Sequence, residues 1–191
     1  MTLLAGRLAP RQIASAILIT TATAAGILSA QAITGAGSAP SEAFLQALDA
    51  YAEAWEASDL AFAKITFTDG ASTGYGQYTP REDATFSDGE ALSVYAEPVG
   101  YGFQTSDSGY AYELTASYKL LNLSGQVLAE QEDFATFSGS GRSEKRELAA
   151  SLNFRFSGLP AGEYKLETSF TDKVDGDQSG FVLPFTVSAA D

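Results

Sequence analysis

The chain has 191 residues, 45% of them hydrophobic, and a formal net charge of −13 at pH 7. It contains no histidine and no cysteine, which excludes disulfides, imidazole or thiolate zinc sites, and nucleophile systems built on Cys–His or Ser–His–Asp. The acidic surface argues against nucleic acid and anionic lipid as partners.

The first 32 residues have the layout of a secretory signal peptide. Arg7 and Arg11 precede an apolar run over residues 13–30, no acidic residue occurs, and Ala30-Gln31-Ala32 is an A-x-A cleavage site. An uncleaved membrane anchor is the alternative, but the many small and polar side chains of the run favour cleavage. We expect export to the periplasm or the cell exterior, with no membrane attachment after cleavage. Losing the two arginines lowers the net charge from −13 to −15.

A linker over residues 33–40 precedes a predicted amphipathic helix over residues 41–57. Ser41 is a typical N-cap, and Glu42 suits the positive end of the helix dipole. One face of the helix carries an apolar stripe at helical spacing, made of Phe44, Leu45, Leu48, Tyr51, Ala52 and Trp55. Because so short a helix is only marginally stable in isolation, we expect the apolar stripe to pack against the rest of the domain. A docking face for a partner is the alternative.

Residues 61–187 predict about seven strands separated by turns. Alternating apolar residues mark strands beginning near Ala61, Leu92, Tyr110, Gln126, Leu148, Tyr164 and Phe181. This spacing favours an all-β fold, an antiparallel two-sheet sandwich, although a barrel fits the same pattern.

Three details of these strands can be predicted. The alternating residues Ala61, Ala63, Ile65 and Phe67 predict the first strand. The strand that begins at Gln126 should end near Asp133, before a polar loop over residues 134–147. Pro184 donates no backbone hydrogen bond, so the last strand should lie at an edge or pair on one side there.

Residues 158–164, Gly-Leu-Pro-Ala-Gly-Glu-Tyr, bring a turn to Tyr164 at the start of a strand. This segment resembles the tyrosine corner of immunoglobulin-like and fibronectin type III-like domains, in which the hydroxyl bonds to upstream backbone. An ordinary half-buried tyrosine after a turn is the alternative. Asp175-Gly176 then predicts the hairpin turn between the last two strands.

Four stretches resemble a group of uncharacterised exported proteobacterial proteins. They are FSDGE at residues 86–90, YAEPVGYGF at residues 95–103, LNLSGQVL at residues 121–128, and residues 158–187. The likeness covers about residues 86–187 and implies export but no activity, because the group has no assigned function. The wider likeness to fibronectin type III-like domains implies an immunoglobulin-like β-sandwich, and a fold alone does not determine function.

The acidic residues leave two kinds of chemistry open. A carboxylate pair could serve a glycan hydrolase, but the pattern singles out no pair among the 24 acidic residues. Asp172, Asp175 and Asp177 crowd one hairpin and offer oxygen ligands to calcium, although their order does not match an EF-hand. A plain polar turn is the alternative, and we predict no cofactor and no catalytic residue.

Five residues are predicted to bind a ligand at one end of the sandwich. Alternate loops of an antiparallel sandwich share an end, which brings together residues 98–109, 134–146 and 172–179. The candidates are Tyr101, Phe103, Arg142, Lys145 and Arg146, since aromatic and arginine side chains often anchor interfaces. An envelope protein or an anionic glycan would suit the basic residues. The alternative is that the two aromatic residues close the core and the basic residues are solvated.

We therefore expect a non-catalytic exported binding or assembly module of the bacterial envelope. A carboxylate-based glycan hydrolase is the alternative function. The sequence indicates neither the identity of the ligand nor the oligomeric state.

Overall fold

The computed structural model describes residues 37–189. The predicted signal peptide and most of the predicted linker lie outside this range. Residues from Pro40 onward belong to one structural unit.

One helix and nine strands lie within the described range. Helix α1 spans Glu42–Glu56, and the strands are β1 Ala61–Thr68, β2 Thr85–Phe86, β3 Ala91–Val99, β4 Gln104–Ser106, β5 Gly109–Asn122, β6 Val127–Gly141, β7 Ala150–Arg155, β8 Gly162–Asp172 and β9 Gln178–Val187. The all-β prediction is confirmed. The seven long strands are the predicted ones, and β2 and β4 are short additions.

The strands form two sheets. The smaller sheet has the order β1-β3-β7 and is antiparallel. In the larger sheet, β5 pairs with β6 on one edge and with β8 on the other, and β9 follows β8. Because Tyr110 and Ala111 of β5 pair with both β4 and β6, β4 lies on the edge opposite β6. β2 adds two parallel pairs to the end of β9.

Aromatic side chains from the two sheets meet in one core. Phe62 of β1 lies 5.1 Å, between ring centroids, from both Phe170 of β8 and Phe181 of β9. Tyr118 of β5 lies 5.2 Å from Phe154 of β7. Full burial of a phenylalanine side chain contributes about 1.5–3 kcal/mol relative to an exposed one, and Phe154 and Phe170 are buried to that extent. Two sheets enclosing a shared core are consistent with the predicted sandwich.

A bulge in β1 changes which of its residues face the core. The pairing of β1 with β3 shifts between Phe62 and Lys64, and Ala61 and Ala63 are exposed. The predicted strand is present, but its alternating residues do not all lie on one face. The extra residue of the bulge breaks the alternation, and Phe62 takes the core position instead.

Strand β6 continues to Gly141, well past its predicted end near Asp133. Its serine- and glycine-rich part, which suggested a loop, pairs with the beginning of β5. A Cβ on Gly139 would lie 2.8 Å from the ring of Tyr112, so glycine makes room for that ring. The backbone supplies the sheet hydrogen bonds here, and the prediction of a polar loop over residues 134–141 is wrong.

The closing hairpin matches its prediction. Gly176 has a φ of 86° in the turn between β8 and β9, a conformation that glycine adopts readily. Pro184 pairs with Lys165 of β8, while β2 reaches β9 only at Thr186 and Val187. The last strand is therefore paired on one side at the proline, as expected.

The connection between β1 and β2 covers the outer face of the smaller sheet. The ring of Tyr78 stacks on Tyr95 of β3 with centroids 4.0 Å apart. The hydroxyl of Tyr95 accepts a hydrogen bond from the N–H of Gly76 at 2.7 Å and donates one to Glu97 at 2.6 Å. Because both its faces are covered, residues 92–96 of β3 are all buried.

The tyrosine corner is present at the start of β8. Tyr164 is buried, and its hydroxyl donates a hydrogen bond of 2.7 Å to the carbonyl oxygen of Pro160. The ring stacks on Phe185 of β9 at 5.6 Å between centroids. The bond fixes the chain's entry into β8, and the prediction of a corner is confirmed.

Replacing Tyr164 by phenylalanine should lower the free energy of unfolding by about 1 kcal/mol or somewhat more, because the Pro160 carbonyl loses its partner. Chemical denaturation measures this change. Tyr118→Phe is the matched control, since the Tyr118 ring also packs in the core. An equal loss in both variants would show that the corner hydrogen bond contributes nothing.

Candidate docking face on helix α1

Helix α1 begins and ends close to the predicted residues. The Oγ of Ser41 accepts a hydrogen bond from the N–H of Phe44 at 3.2 Å, and Glu42 lies in the first turn. The last turn is closed by the N–H of Ala57, which donates to the carbonyl of Glu53. The cap and the acidic first turn explain why the helix starts where it does.

Trp55 anchors the C-terminal turn of α1 to the sandwich. Its Nε1 donates a hydrogen bond of 2.9 Å to the carbonyl oxygen of Tyr101, and the two rings meet edge to face at 5.0 Å between centroids. The side chain is 6% exposed. The predicted packing of α1 against the domain is confirmed for this residue.

Tyr101 joins three segments at this end of the sandwich. Its ring is 1% exposed, its carbonyl holds Trp55, and its hydroxyl donates to the carbonyl oxygen of Lys145 at 2.5 Å. Burial raises the pKa of this hydroxyl well above its ordinary value, so it stays a donor at physiological pH. Gly100 has a φ of 73°, and a Cβ there would lie 2.5 Å from the carbonyl of Asp59. Glycine thus lets this turn approach the chain that leaves α1.

Most of the apolar stripe is exposed, apart from Trp55 and the half-buried Ala52. Four residues, here named the α1 face, are each about half exposed: Phe44 at 54%, Leu45 at 47%, Leu48 at 47% and Tyr51 at 50%. The prediction that the whole stripe packs on the domain is wrong for these four. Trp55, in the last helical turn, is the one residue of α1 that is buried.

Arg146 borders the α1 face. Its guanidinium carbon lies 5.3 Å from the ring centroid of Tyr51 and 5.6 Å from that of Trp55, distances at which a cation is attracted to an aromatic ring. Its Nη2 also pairs with the carboxylate of Glu144. A cavity of about 460 Å³ lies between Leu48 and Tyr51 of the helix and residues 144–147.

The structure brings Tyr101, Phe103, Lys145 and Arg146 close together but exposes the five residues predicted to bind to different degrees. Tyr101 is buried, and Phe103 is half-buried between Trp55, at 6.5 Å, and Tyr101, at 5.4 Å. Lys145 and Arg146 line the cavity beside α1. Arg142 is exposed, and its Nη1 donates to the carbonyl of Asp107 at 3.5 Å, at the turn between β4 and β5. Ligand binding by these residues stays a prediction, and among the three basic residues Arg142 and Lys145 are exposed whereas Arg146 is half-buried.

An acidic cleft lies on the other side of Trp55. It has a volume of about 450 Å³, and its lining includes the acidic residues Glu56, Asp59, Glu144, Asp175 and Asp177. Partial burial, together with the charges of Asp172 and Asp177, raises the pKa of Asp175. The sequence pattern placed Glu144, Asp175 and Asp177 at this end but missed Glu56 and Asp59, because the acids of the cleft come from segments far apart in the chain.

Both carboxylate oxygens of Asp172 accept hydrogen bonds from backbone N–H groups. Its side chain is 1% exposed; Oδ2 accepts from the N–H of Gly102 at 2.6 Å, and Oδ1 accepts from the N–H of Val174 at 2.7 Å. These bonds tie the last hairpin to the turn after β3. In the described part of the chain, no group of three or more His, Cys, Asp or Glu residues is placed to hold a metal ion.

A hollow of about 680 Å³ lies elsewhere, on the outer face of the larger sheet. Some of the polar residues that line it already interact with one another. The N–H of Asp133 donates to Ser117 at 2.9 Å, and the carboxylate of Asp133 lies 3.7 Å from the Nζ of Lys173. The α1 face is the stronger candidate for docking, because exposed apolar side chains gain more from being covered.

Comparisons with known proteins assign no family to the chain. No family model matches it, and no curated protein matches it significantly. Within residues 37–189, the structure contains no helix that is both long and apolar enough to cross a membrane.

Replacing Asp172 by asparagine should lower the free energy of unfolding by about 2 kcal/mol, because hydrogen bonds to a charged group are lost and an amide N–H₂ faces a backbone donor. Denaturant titration measures the loss. Asp177→Asn is the matched control, since it removes the same charge from the same hairpin. Equal stability of the two variants would contradict the bonding role given to Asp172.

Proposed function

We propose that the chain is an exported, non-catalytic binding or assembly module of the bacterial envelope, built on an immunoglobulin-like sandwich. The α1 face is its binding surface. A partner protein covers this face in the assembled state, and the sandwich serves as the rigid support that holds the helix.

The exposure of the α1 face is the observation that carries the proposal. Phe44, Leu48 and Tyr51 lie at i, i+4 and i+7, the spacing by which a helix presents anchors to a partner. Trp55 and Tyr101 fix the end of the helix, so its orientation is set before any partner arrives. A surface arranged in advance loses less conformational entropy on binding.

The order of the strands supports the immunoglobulin-like assignment. In such domains, strands A, B and E share one sheet, and C, F and G share the other, with any C′ strand beside C. Naming β1, β3, β5, β6, β7, β8 and β9 as A, B, C, C′, E, F and G in chain order reproduces both sheets. The tyrosine corner then falls at the start of strand F, where these domains have it.

Export is supported by the leader pattern of residues 1–32. The absence of cysteine means that the domain needs no oxidant to fold. The resemblance of residues 86–187 to exported proteobacterial proteins points to the same compartment, and the acidic composition favours protein partners over nucleic acid.

A carboxylate-based glycan hydrolase is the second candidate, and the acidic cleft is the observation that favours it. There the pKa of Asp175 is raised, as general acid catalysis by a carboxyl group requires. Hydrolysis of an envelope glycan that disappears on Asp175→Asn would support this alternative and count against the binding module.

Photocrosslinking at Leu48 tests the proposed function. A photoreactive amino acid at this position, in the protein expressed in its own bacterium, should give a crosslinked product with one envelope protein identified by mass spectrometry. Leu48 is half exposed, so the substitution leaves the core intact.

Leu123 provides the matched control. It is an exposed leucine in the turn after β5. Tyr112, near the other end of β5, packs against Tyr101 below the helix, so Leu123 lies at the end of β5 away from α1. The same photoreactive group at Leu123 should give no such product. Export of both variants without a crosslink at either position would refute the binding function at this face.

A further inference from the structure

The charge of α1 indicates what kind of partner covers it. Four acidic residues occur in the helix, Glu42, Asp49, Glu53 and Glu56, and the helix contains no lysine or arginine. At about 100° per residue, these acids fall on one side, and Glu56 and Asp49 come next to Leu45. The α1 face therefore has an acidic border along its length.

The opposite border is nearly neutral. Residues 144–147 contribute two acids and two bases, and the charge of Arg146 is engaged with Glu144 and with the rings of Tyr51 and Trp55. The net field over the α1 face is thus negative, in a chain whose overall charge is −13. A partner that covers the apolar residues also gains favourable electrostatic interactions if basic residues border its own apolar surface.

Two other occupants fit less well. A second copy of α1 would bring its own acidic border against this one, and like charges in contact are unfavourable. The four half-exposed side chains offer roughly 300–400 Å², below the roughly 800 Å² per partner of a stable interface, so any complex through this face alone is weak. An anionic lipid surface is repelled by the same acids.

We propose that the α1 face binds an amphipathic helix of another protein whose apolar residues are bordered by lysine or arginine. This inference rests on the proposed function and specifies its partner. The complex is weak and sensitive to salt, because the apolar area is small and exposed charges contribute much of the selectivity.

Synthetic helical peptides test the charge requirement on the mature protein. One peptide of about 18 residues carries leucines at helical spacing with lysines on their flanks; a second has glutamates in place of the lysines, and a third has the lysine composition in scrambled order. Fluorescence anisotropy should show binding of the first peptide alone, weakened about tenfold between roughly 50 and 200 mM salt.

Two protein variants locate the binding. Leu48→Asp should weaken binding of the first, lysine-flanked peptide by about tenfold or more, while Leu123→Asp should leave that binding unchanged. Circular dichroism checks that both variants keep their secondary structure. The double substitution Asp49→Lys/Glu53→Lys should reverse the preference and favour the glutamate peptide.

The proposal is overturned if the scrambled peptide binds as well as the ordered one, since net charge alone then explains the attraction. Equal binding of the glutamate peptide overturns it as well, as does unchanged binding by Leu48→Asp. Self-association of the free protein that Leu48→Asp abolishes would identify a second copy as the occupant and would also overturn it.

Failure of this inference is distinguishable from failure of the proposed function. A crosslink from Leu48 to a partner without a basic amphipathic helix would refute the charge requirement alone. No crosslink in the cell together with no peptide binding would refute both.

Discussion

The hydrogen bond from the indole of Trp55 to the carbonyl of Tyr101 is the contact on which the candidate site depends. It is 2.9 Å long and buried, and the hydroxyl of Tyr101 continues it to the backbone of Lys145. One aromatic pair thus joins α1, the turn after β3 and the segment before β7. A 15-residue helix is marginal alone in water, so this anchor determines both its stability and its direction.

Anchoring at one end has a consequence for the rest of the helix. Phe44 and Leu48 are held over solvent, where covering them would be favourable. The acids on the neighbouring side of α1 keep this surface soluble and disfavour its pairing with a second copy. Exposure and negative charge together make the α1 face selective, and both are properties of the free domain before any partner binds.

Local sequence signals predicted part of this architecture. The tyrosine corner and the closing hairpin were predicted from the sequence, because the conformations of residues 158–164 and of the turn at Gly176 depend mainly on local residue types. The end of β6 was not, because its serines and glycines become a strand only when β5 lies beside them. The bulge in β1 likewise depends on the partner strand rather than on β1 itself.

The candidate site was predictable only in outline. The apolar stripe and its spacing are visible in the sequence, and so are the basic residues near Arg146. Burial of the stripe depends on how closely the chain returns to the sandwich after α1. That return involves a close approach between Asp59 and Gly100, two residues distant in sequence. Glu56 and Asp59 of the acidic cleft escaped prediction for the same reason.

The central claim is that α1 is anchored by Trp55 while its apolar face stays exposed in the free protein. Hydroxyl-radical footprinting of the purified domain tests it directly, because Tyr51 is 50% exposed and Tyr101 is 1% exposed, and the two rings have the same intrinsic reactivity. Tyr51 should be oxidised rapidly, together with Phe44 and Leu48, and Tyr101 should be strongly protected. Equal protection of Tyr51 and Tyr101 would contradict it, since the stripe would then be packed against the sandwich.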